Sequence, residues 1–219
     1  MGGLLGIGVL YDYAVRALAV LIIIPFHEAA HALVSWLLGD PTAKNAGRLS
    51  LNPMRHFDPL GTLCMVLGGV GWAKPVGIDP RRFRNPKTGM AVSAAAGPAA
   101  NFLLGFVSTI IYKTVWYASA GQVPDPVMDF LWYMIGMNIS LAVFNLIPVP
   151  PFDGSRIALL FLPRDLYFRV MRYERYIMAA VLVLVLIGAL DGPLGFFVNA
   201  VYRAFFSATE FVEAAFGLL

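Results

Sequence analysis

Three long stretches of this sequence contain almost no charged residues. Residues 88–112 and 130–152 have none at all, and residues 17–39 have only Glu28. The hydrocarbon core of a bilayer is about 30 Å thick, and about 20 apolar residues in a helix cross it. Each of the three stretches therefore predicts a transmembrane helix.

Two further apolar stretches follow toward the C-terminus. Residues 177–190 predict a fourth span, which needs a few more residues at its start to reach full length. Residues 194–217 predict a fifth span, although Arg203, Glu210 and Glu213 interrupt it.

The apolar residues 60–73 are too few for an ordinary span and include four glycines. Three Lys or Arg side chains lie in the preceding loop, residues 40–58, and five lie in the following one, residues 74–87. Loops rich in positive charge concentrate on the cytoplasmic side of a membrane. Both loops reach that side only if residues 60–73 enter the membrane and return, which predicts a re-entrant segment.

The composition agrees with a membrane protein. Of the 219 residues, 59% are hydrophobic and only 13% are charged, about half the usual share of charge. That is too little charge to cover a water-exposed surface, which argues against a free-standing soluble enzyme, a disordered chain or a nucleic-acid-binding protein. We expect an all-α polytopic membrane protein embedded in a lipid bilayer. Its fold would be a bundle of five to six transmembrane helices, with a short membrane-associated β segment or re-entrant loop between the first two core helices.

The first apolar stretch carries three ionisable residues within five positions. His27 and His31 are four residues apart, so on a helix both imidazoles project from the same face. Glu28 lies about 100° further around the helix, where it can reach a water beside them. An ionisable side chain inside a membrane costs about 2.5–3.5 kcal/mol, which packing alone does not offset. This H-E-x-x-H pattern predicts two zinc-binding imidazoles and a carboxylate that acts as a general base.

A catalytic zinc site needs a third protein ligand, because zinc prefers four ligands and keeps one position for water. Asp153 is the stronger candidate, since it directly follows residues 130–152 and returns to the cytoplasmic side on this topology. Three prolines in the six residues before it prevent a regular helix there. The only other histidine, His56, lies in a polar loop. The alternative is that Asp153 merely caps a following helix.

The segments FHEAAH and NLIPVPPFDG together resemble the site-2 protease family of intramembrane zinc metalloproteases. The family pattern is H-E-x-x-H on one transmembrane helix and N-x-x-P-x-x-x-x-D-G on a later one. Here every fixed position of the second pattern is filled, by Asn145, Pro148, Asp153 and Gly154. A third family element resembles Gly97, Pro98 and Asn101. The segments RLSLNPMRHFDPLGT and GWAKPV are similar to the compact bacterial branch, which has no PDZ or CBS domain.

The resemblance implies that His27, His31 and Asp153 bind Zn²⁺ and that Glu28 is the catalytic base. It implies hydrolysis of a peptide bond within or beside a transmembrane segment of a membrane-anchored protein substrate. The expected location is the inner membrane of a bacterial cell, with the active site toward the cytoplasm.

We expect one membrane-embedded domain over residues 1–219. Its catalytic core would cover about residues 13–162, and its C-terminal helices about residues 174–218. The oligomeric state, the physiological substrate and the role of His56 are left open.

Three asparagines are candidates for a supporting role in the reaction. The Asn145 amide could donate a hydrogen bond to the oxyanion that forms from the substrate carbonyl. The alternative is a hydrogen bond between helices, which is common for asparagine in membrane bundles. Asn101, a candidate substrate contact, and Asn138 carry the same ambiguity.

Residues 47–52 alternate polar and apolar side chains, as in an exposed strand. We expect them to pair with residues 71–76 and to hold an unwound substrate by strand addition. The expected substrate contacts on this segment are Arg48, Leu49, Ser50 and Leu51, and Pro148 and Pro151 are further expected contacts. The alternative is an ordinary cytoplasmic loop.

Two other functions compete with the protease. A catalytically silent relative would bind transmembrane helices, although the complete set of catalytic residues argues against it. A zinc transporter would use the histidines for passage. It would be expected to have paired broken helices in two related halves, and the sequence has no such internal symmetry.

Overall fold

The structure, a computed structural model, describes residues 7–68, 72–163, 166 and 172–218. The regular secondary structure of these residues is helical, without a β-strand. In chain order the helices are α1 (Ile7–Leu37), α2 (Thr42–Asn45), α3 (Pro59–Gly68), α4 (Pro86–Ala118), α5 (Asp125–Asn145), α6 (Asp153–Leu159), α7 (Glu174–Leu186), α8 (Asp191–Ala208) and α9 (Glu210–Ala215). Two 3-10 turns lie in the loops, at Pro53–Arg55 and Pro80–Arg82.

Three of these helices are long and apolar enough to cross a membrane. They are Gly8–Leu37 within α1, Pro86–Ala118 and Asp125–Asn145. The shortest, α5, has 21 residues, which at 1.5 Å per residue is about the thickness of the hydrocarbon core. The first three predicted spans are therefore confirmed, and the chain is an all-α polytopic integral membrane protein.

Helices α1, α4 and α5 pack against one another and form the core of the bundle. On one face of α1, Ala19 and Ile23 pack with Met134 of α5. On a neighbouring face, Ile24 packs with Met65 of α3. Because α1 is packed on both faces, its rotation about its own axis is fixed, and with it the direction of every side chain further along the helix.

Residues 57–68 and 72–73 form a hairpin, and α3 is its first arm. The Lys74 N–H donates to the His56 carbonyl at 3.0 Å, so the two ends of the segment lie side by side. The returning chain lies directly against α3, because a Cβ on Gly61 would overlap the Trp72 carbonyl. The two ends of the segment therefore lie together, as a re-entrant segment requires, and the re-entry itself stays a prediction.

The predicted β segment at residues 47–52 is wrong for the residues that the structure describes. Gly47 has a left-handed φ of +69°, and the Ser50 carbonyl accepts a hydrogen bond from His56 Nε2 at 2.8 Å instead of from a neighbouring strand. Asn52 caps the turn that follows. Of the expected partner strand, Gly71 lies outside the described residues, and residues 72–79, the connecting segment, have no regular secondary structure.

The C-terminal region differs from the prediction in the length and continuity of its helices. Helix α7 has 13 residues, about 20 Å, which is shorter than the hydrocarbon core. The single helix predicted over residues 194–217 is wrong, because α8 ends at Ala208 and α9 begins at Glu210. Residues 164–165 and 167–171, which precede α7, lie outside the described residues.

The break between α8 and α9 is held by polar groups. The buried Thr209 hydroxyl donates to the Phe205 carbonyl at 2.8 Å and to the Phe206 carbonyl at 3.2 Å. Lys113 of α4 also donates to the Phe206 carbonyl and forms an ion pair with Glu213 of α9, both at 2.6 Å. Carbonyls that a broken helix leaves without a helical partner need such donors inside a membrane. The charges that interrupt the apolar stretch thus mark a real interruption of the helix.

Candidate metal centre

The two histidines of the H-E-x-x-H motif lie on the buried face of α1 toward α4. His27 and His31 are both buried. Gly97 of α4 faces them so closely that a Cβ at this position would overlap both imidazole rings. A glycine is therefore required here, because any side chain would push α4 away from the motif.

Asp153 reaches the same place from the other end of the sequence. It is the first residue of α6, which packs against α4 after the proline-rich turn that ends α5. Gly154 allows this turn to be tight, because a Cβ there would overlap the Leu146 backbone. The residue at the N-cap position is Phe152, and no side chain caps the helix. The carboxylate of Asp153 is therefore directed elsewhere than at the end of its own helix.

His27, His31 and Asp153 together form a group of three metal-ligating side chains. The two Nε2 atoms are 3.0 Å apart, and Asp153 Oδ2 lies 3.3 Å from His27 Nε2 and 3.2 Å from His31 Nε2. Zinc binds imidazole nitrogen and carboxylate oxygen at about 2.0–2.2 Å, so two ligands in a tetrahedral site are about 3.3 Å apart. The three atoms already have the spacing of three corners of a zinc site.

The hydrogen bonds around the three ligand atoms fit a cation. His31 Nδ1 lies 2.8 Å from the Ser93 carbonyl, so this nitrogen carries the proton and a neutral ring presents the Nε2 lone pair to the centre. Asp153 Oδ2 is buried and has no hydrogen-bond donor among the described residues. Three acceptor atoms that converge in a buried place repel one another unless a positive charge lies between them, and Zn²⁺ supplies one.

Glu28 lies beside this group and is not part of it. It is half-buried, and its Oε2 accepts a hydrogen bond from the Val76 N–H at 3.1 Å. A carboxylate that is next to a metal site but outside its ligand set is free to exchange protons with water. The role of Glu28 as a general base stays a prediction.

Asp40, which lies just beyond α1, fixes the far end of the connecting segment, at Asp79. Its buried carboxylate accepts hydrogen bonds from the Asp79 N–H at 2.7 Å and from the N–H and hydroxyl of Thr42. Burial raises the pKa of Asp40, but these hydrogen bonds and the Arg82 guanidinium outweigh burial, so the pKa lies below its ordinary value. Asp40 is thus a charged anchor between the end of α1 and the connecting segment.

The three asparagines differ in their surroundings. Asn145 is half-buried at the end of α5, where its amide donates to the Leu141 carbonyl at 3.0 Å. Asn138 donates to Met134 in the same helix. Asn101 of α4 is fully buried, and neither of its polar side-chain atoms has a partner among the described residues. An amide with both groups free can take a ligand, so Asn101 is the asparagine best suited to one.

The other predicted substrate contacts differ in how exposed they are. Leu49 and Ser50 are half-buried, Leu51 is 63% exposed, and Pro148 and Pro151 are exposed. Arg48, in contrast, is only 7% exposed and donates to backbone carbonyls of the connecting segment.

His56 is fully buried and bonded to Ser50, outside the group of metal-ligating side chains. It connects the loop before α3 to the chain after the hairpin, because its backbone carbonyl accepts a hydrogen bond from the Lys74 N–H.

Two contributors to the site were not predicted from the sequence. The Ser93 carbonyl orients His31, and the Val76 N–H contacts Glu28. Both are backbone groups, which every residue has, so no residue type points to them. One available signal was the run of small residues at 93–97, since small side chains allow helices in membranes to approach closely.

Known proteins with similar sequences support the metal centre. YwhC of Bacillus subtilis, a candidate zinc metalloprotease by name, is 34% identical over 172 residues, which are 76% of this chain and 78% of YwhC. Rip2 of Mycolicibacterium smegmatis, also a candidate zinc metalloprotease by name, is 29% identical over 137 residues, which are 58% of this chain and 49% of Rip2. Rip2 of Mycobacterium tuberculosis is 28% identical over 137 residues, which are 58% of this chain and 49% of that Rip2.

The chain thus spans about half the length of the Rip2 proteins. No solved structure matches it significantly. Residues 114–188, which include Asn145 and Asp153, match the profile of peptidase family M50. With this match and a similarity to YwhC over more than three quarters of both sequences, the chain belongs to peptidase family M50, the site-2 protease family.

Proposed function

We propose that this protein is an intramembrane zinc metalloprotease. It hydrolyses a peptide bond within or beside a transmembrane segment of a membrane-anchored protein. The observation that carries the proposal is the convergence of His27, His31 and Asp153 at zinc-ligand spacing, with the Glu28 carboxylate beside them. The names of the relatives support the same chemistry.

The roles of the residues follow from their positions. His27, His31 and Asp153 would hold the zinc ion, which when bound polarises a carbonyl and makes water more acidic. Glu28 takes a proton from the attacking water and delivers it to the leaving amine. The Val76 N–H donates to Oε2 of Glu28 and so helps to hold the carboxylate in place. The free amide of Asn101 is available for a substrate carbonyl or a water.

The location of the histidines supports a substrate inside the membrane. Both lie in the long apolar helix α1, so a peptide bond has to reach them at membrane depth. A helical substrate hides its carbonyls in backbone hydrogen bonds and therefore has to unwind locally before it is cut. The basic loops at residues 40–58 and 74–87 support a cytoplasmic active site in a bacterial inner membrane.

The test compares the native chain with Glu28→Gln, which keeps the shape of the side chain but cannot act as a base. We expect one zinc ion per chain in both proteins and a loss of cleavage in the variant of about 10²–10⁴-fold. Proteomics of cells that carry either form identifies the substrates, as membrane-anchored proteins that stay uncut with Glu28→Gln. Purified substrate and enzyme in detergent then give the cleavage rate.

Other outcomes would support the competing functions. Cleavage at the native rate by Glu28→Gln would overturn the mechanism. Zinc bound by the native chain without cleavage of any membrane protein would indicate a silent relative that binds helices. Zinc flux into vesicles that contain the native chain would indicate a transporter.

A further inference from the structure

Arg48 holds the part of the connecting segment that touches Glu28. Its Nη2 donates to the carbonyls of Lys74 and Pro75, the latter at 2.8 Å. The next residue, Val76, donates its N–H to Glu28 Oε2 at 3.1 Å. The two carbonyls that Arg48 holds thus immediately precede the amide that contacts the proposed base.

The burial of Arg48 indicates a role inside the protein. Only 7% of the residue is exposed, and burying a charged guanidinium is costly unless its donors are used. The rigid planar fork of arginine fixes the direction of each hydrogen bond. Because one nitrogen donates to two successive carbonyls, the peptide planes of residues 74 and 75 are held in one orientation, and this orientation sets the direction of the Val76 N–H.

We propose that Arg48 is a positioning residue for the general base. It acts through the backbone of residues 74–76, which places the Val76 N–H against Glu28 and so keeps the carboxylate beside the histidines. The inference rests on the proposed function, because the orientation of Glu28 matters only if Glu28 takes part in the reaction. It replaces the expectation from the sequence that Arg48 binds the substrate.

The two roles predict different kinetics. A residue that contacts the substrate in its ground state changes KM, whereas a residue that orients the base changes kcat. Misplacement of a catalytic group by about 1 Å costs about 100-fold in rate.

The first experiment measures kcat, KM and zinc content of three variants on a substrate identified by comparison with Glu28→Gln. We expect Arg48→Ala to lose about 10–100-fold in kcat, with KM within about twofold of native and one zinc per chain. Arg48→Lys should recover part of the rate, because an ammonium can still donate to a carbonyl but lacks the fork. Arg55→Ala is the control, since Arg55 is an exposed cation of the same loop, and it should behave as native.

A second measurement does not depend on cleavage. Hydrogen exchange of the Val76 amide, followed in the metal-free protein, reports whether its hydrogen bond is formed. We expect at least tenfold faster exchange in Arg48→Ala, with unchanged exchange in α4. Unchanged exchange at Val76 would overturn the proposal, and so would a raised KM with native kcat.

A fourth variant tests the amide itself. Val76→Pro removes the amide donor, fixes φ at this position and leaves Arg48 in place. If Arg48 acts through this amide, Val76→Pro lowers kcat by a similar factor, and the double variant is no slower than Arg48→Ala alone. Multiplied losses in the double variant would overturn the proposal. If the native chain cleaves nothing, the proposed function fails instead, and the exchange result still decides whether Arg48 orders Val76.

Discussion

His31 is joined to Ser93 by a buried hydrogen bond from its Nδ1 to the Ser93 carbonyl, 2.8 Å long. This bond fixes the ring so that Nε2 faces His27 and Asp153. No side-chain substitution at position 93 removes the carbonyl itself, so the orientation of His31 depends on where α4 lies. The packing of α1 on α4 is therefore part of the metal centre.

Gly97→Ala tests this packing. The added methyl group would overlap both imidazole rings, so α4 or the rings have to move. We expect zinc affinity to fall about 10–100-fold, and overpacking to cost about 1–3 kcal/mol of stability. Competition with a chromophoric chelator measures the affinity. Gly195→Ala is the control, because a Cβ there meets nothing within 4 Å; native affinity in Gly97→Ala would mean that the contact is unimportant.

The Asp153→Asn variant tests whether Asp153 binds the metal or stabilises helix α6. The substitution keeps the size of the side chain but removes the anionic oxygen that lies within 3.3 Å of both imidazoles. We expect at least a tenfold loss of zinc affinity, with unchanged helix content by circular dichroism. Asp191→Asn, which changes the first acidic residue of α8, is the matched control. Loss of helix content with native zinc affinity would assign Asp153 to the helix alone.

Asn101→Leu should raise stability and lower activity. A buried amide without partners costs about 1–3 kcal/mol, and Asn101 is fully buried with both polar atoms unpaired among the described residues. We therefore expect the free energy of unfolding in detergent to rise by about that amount, while cleavage slows. Asn138→Leu is the comparison, since Asn138 Nδ2 donates to the Met134 carbonyl and only Oδ1 has no partner among the described residues. A less stable Asn101→Leu protein would show that the amide is structurally satisfied in the native chain.

Asp40 should make stability depend on pH in the acidic range. Its pKa in the folded chain lies below the ordinary value, which is about 3.9. Its contribution is thus complete above about pH 4 and is lost as pH falls through the lower folded pKa. We expect Asp40→Asn to lower the melting temperature by about 3–10 °C at pH 7. The difference from native should shrink at pH 3, and an equal difference at both pH values would contradict this account.

The convergence of His27, His31 and Asp153 could be predicted because their chemistry and spacing are unusual for their surroundings. His27 and His31 share a helix face at four-residue spacing, and ionisable groups in an apolar span need a function. Asp153 follows three prolines that break the helix after a long span. The closeness of the two ends of the hairpin agrees with the re-entrant segment that the two basic loops predict.

The strand at residues 47–52 was predicted wrongly because alternating polar and apolar side chains do not show whether the backbone has a neighbouring strand to pair with. Here Ser50 is bonded to the ring of His56, and Arg48 is buried on the connecting segment, so side chains take the place of a strand ladder. The break at Thr209 was missed for a similar reason. It depends on Lys113, a residue of another helix whose contact with Phe206 no local pattern reveals.

The hydrogen bond between Lys74 and His56 at the base of the hairpin has a topological consequence. Two points of the chain lie in the same leaflet only if the number of membrane crossings between them is even. If the hairpin returns to its own side, α4 and α5 are the two long apolar helices of the described residues between the histidines and Asp153, and two crossings bring the chain back to the leaflet that it left. One more crossing would place Asp153 in the leaflet opposite the histidines. The hydrogen bond between Lys74 and His56, although distant from the three side chains, therefore belongs to the arrangement that lets Asp153 meet His27 and His31.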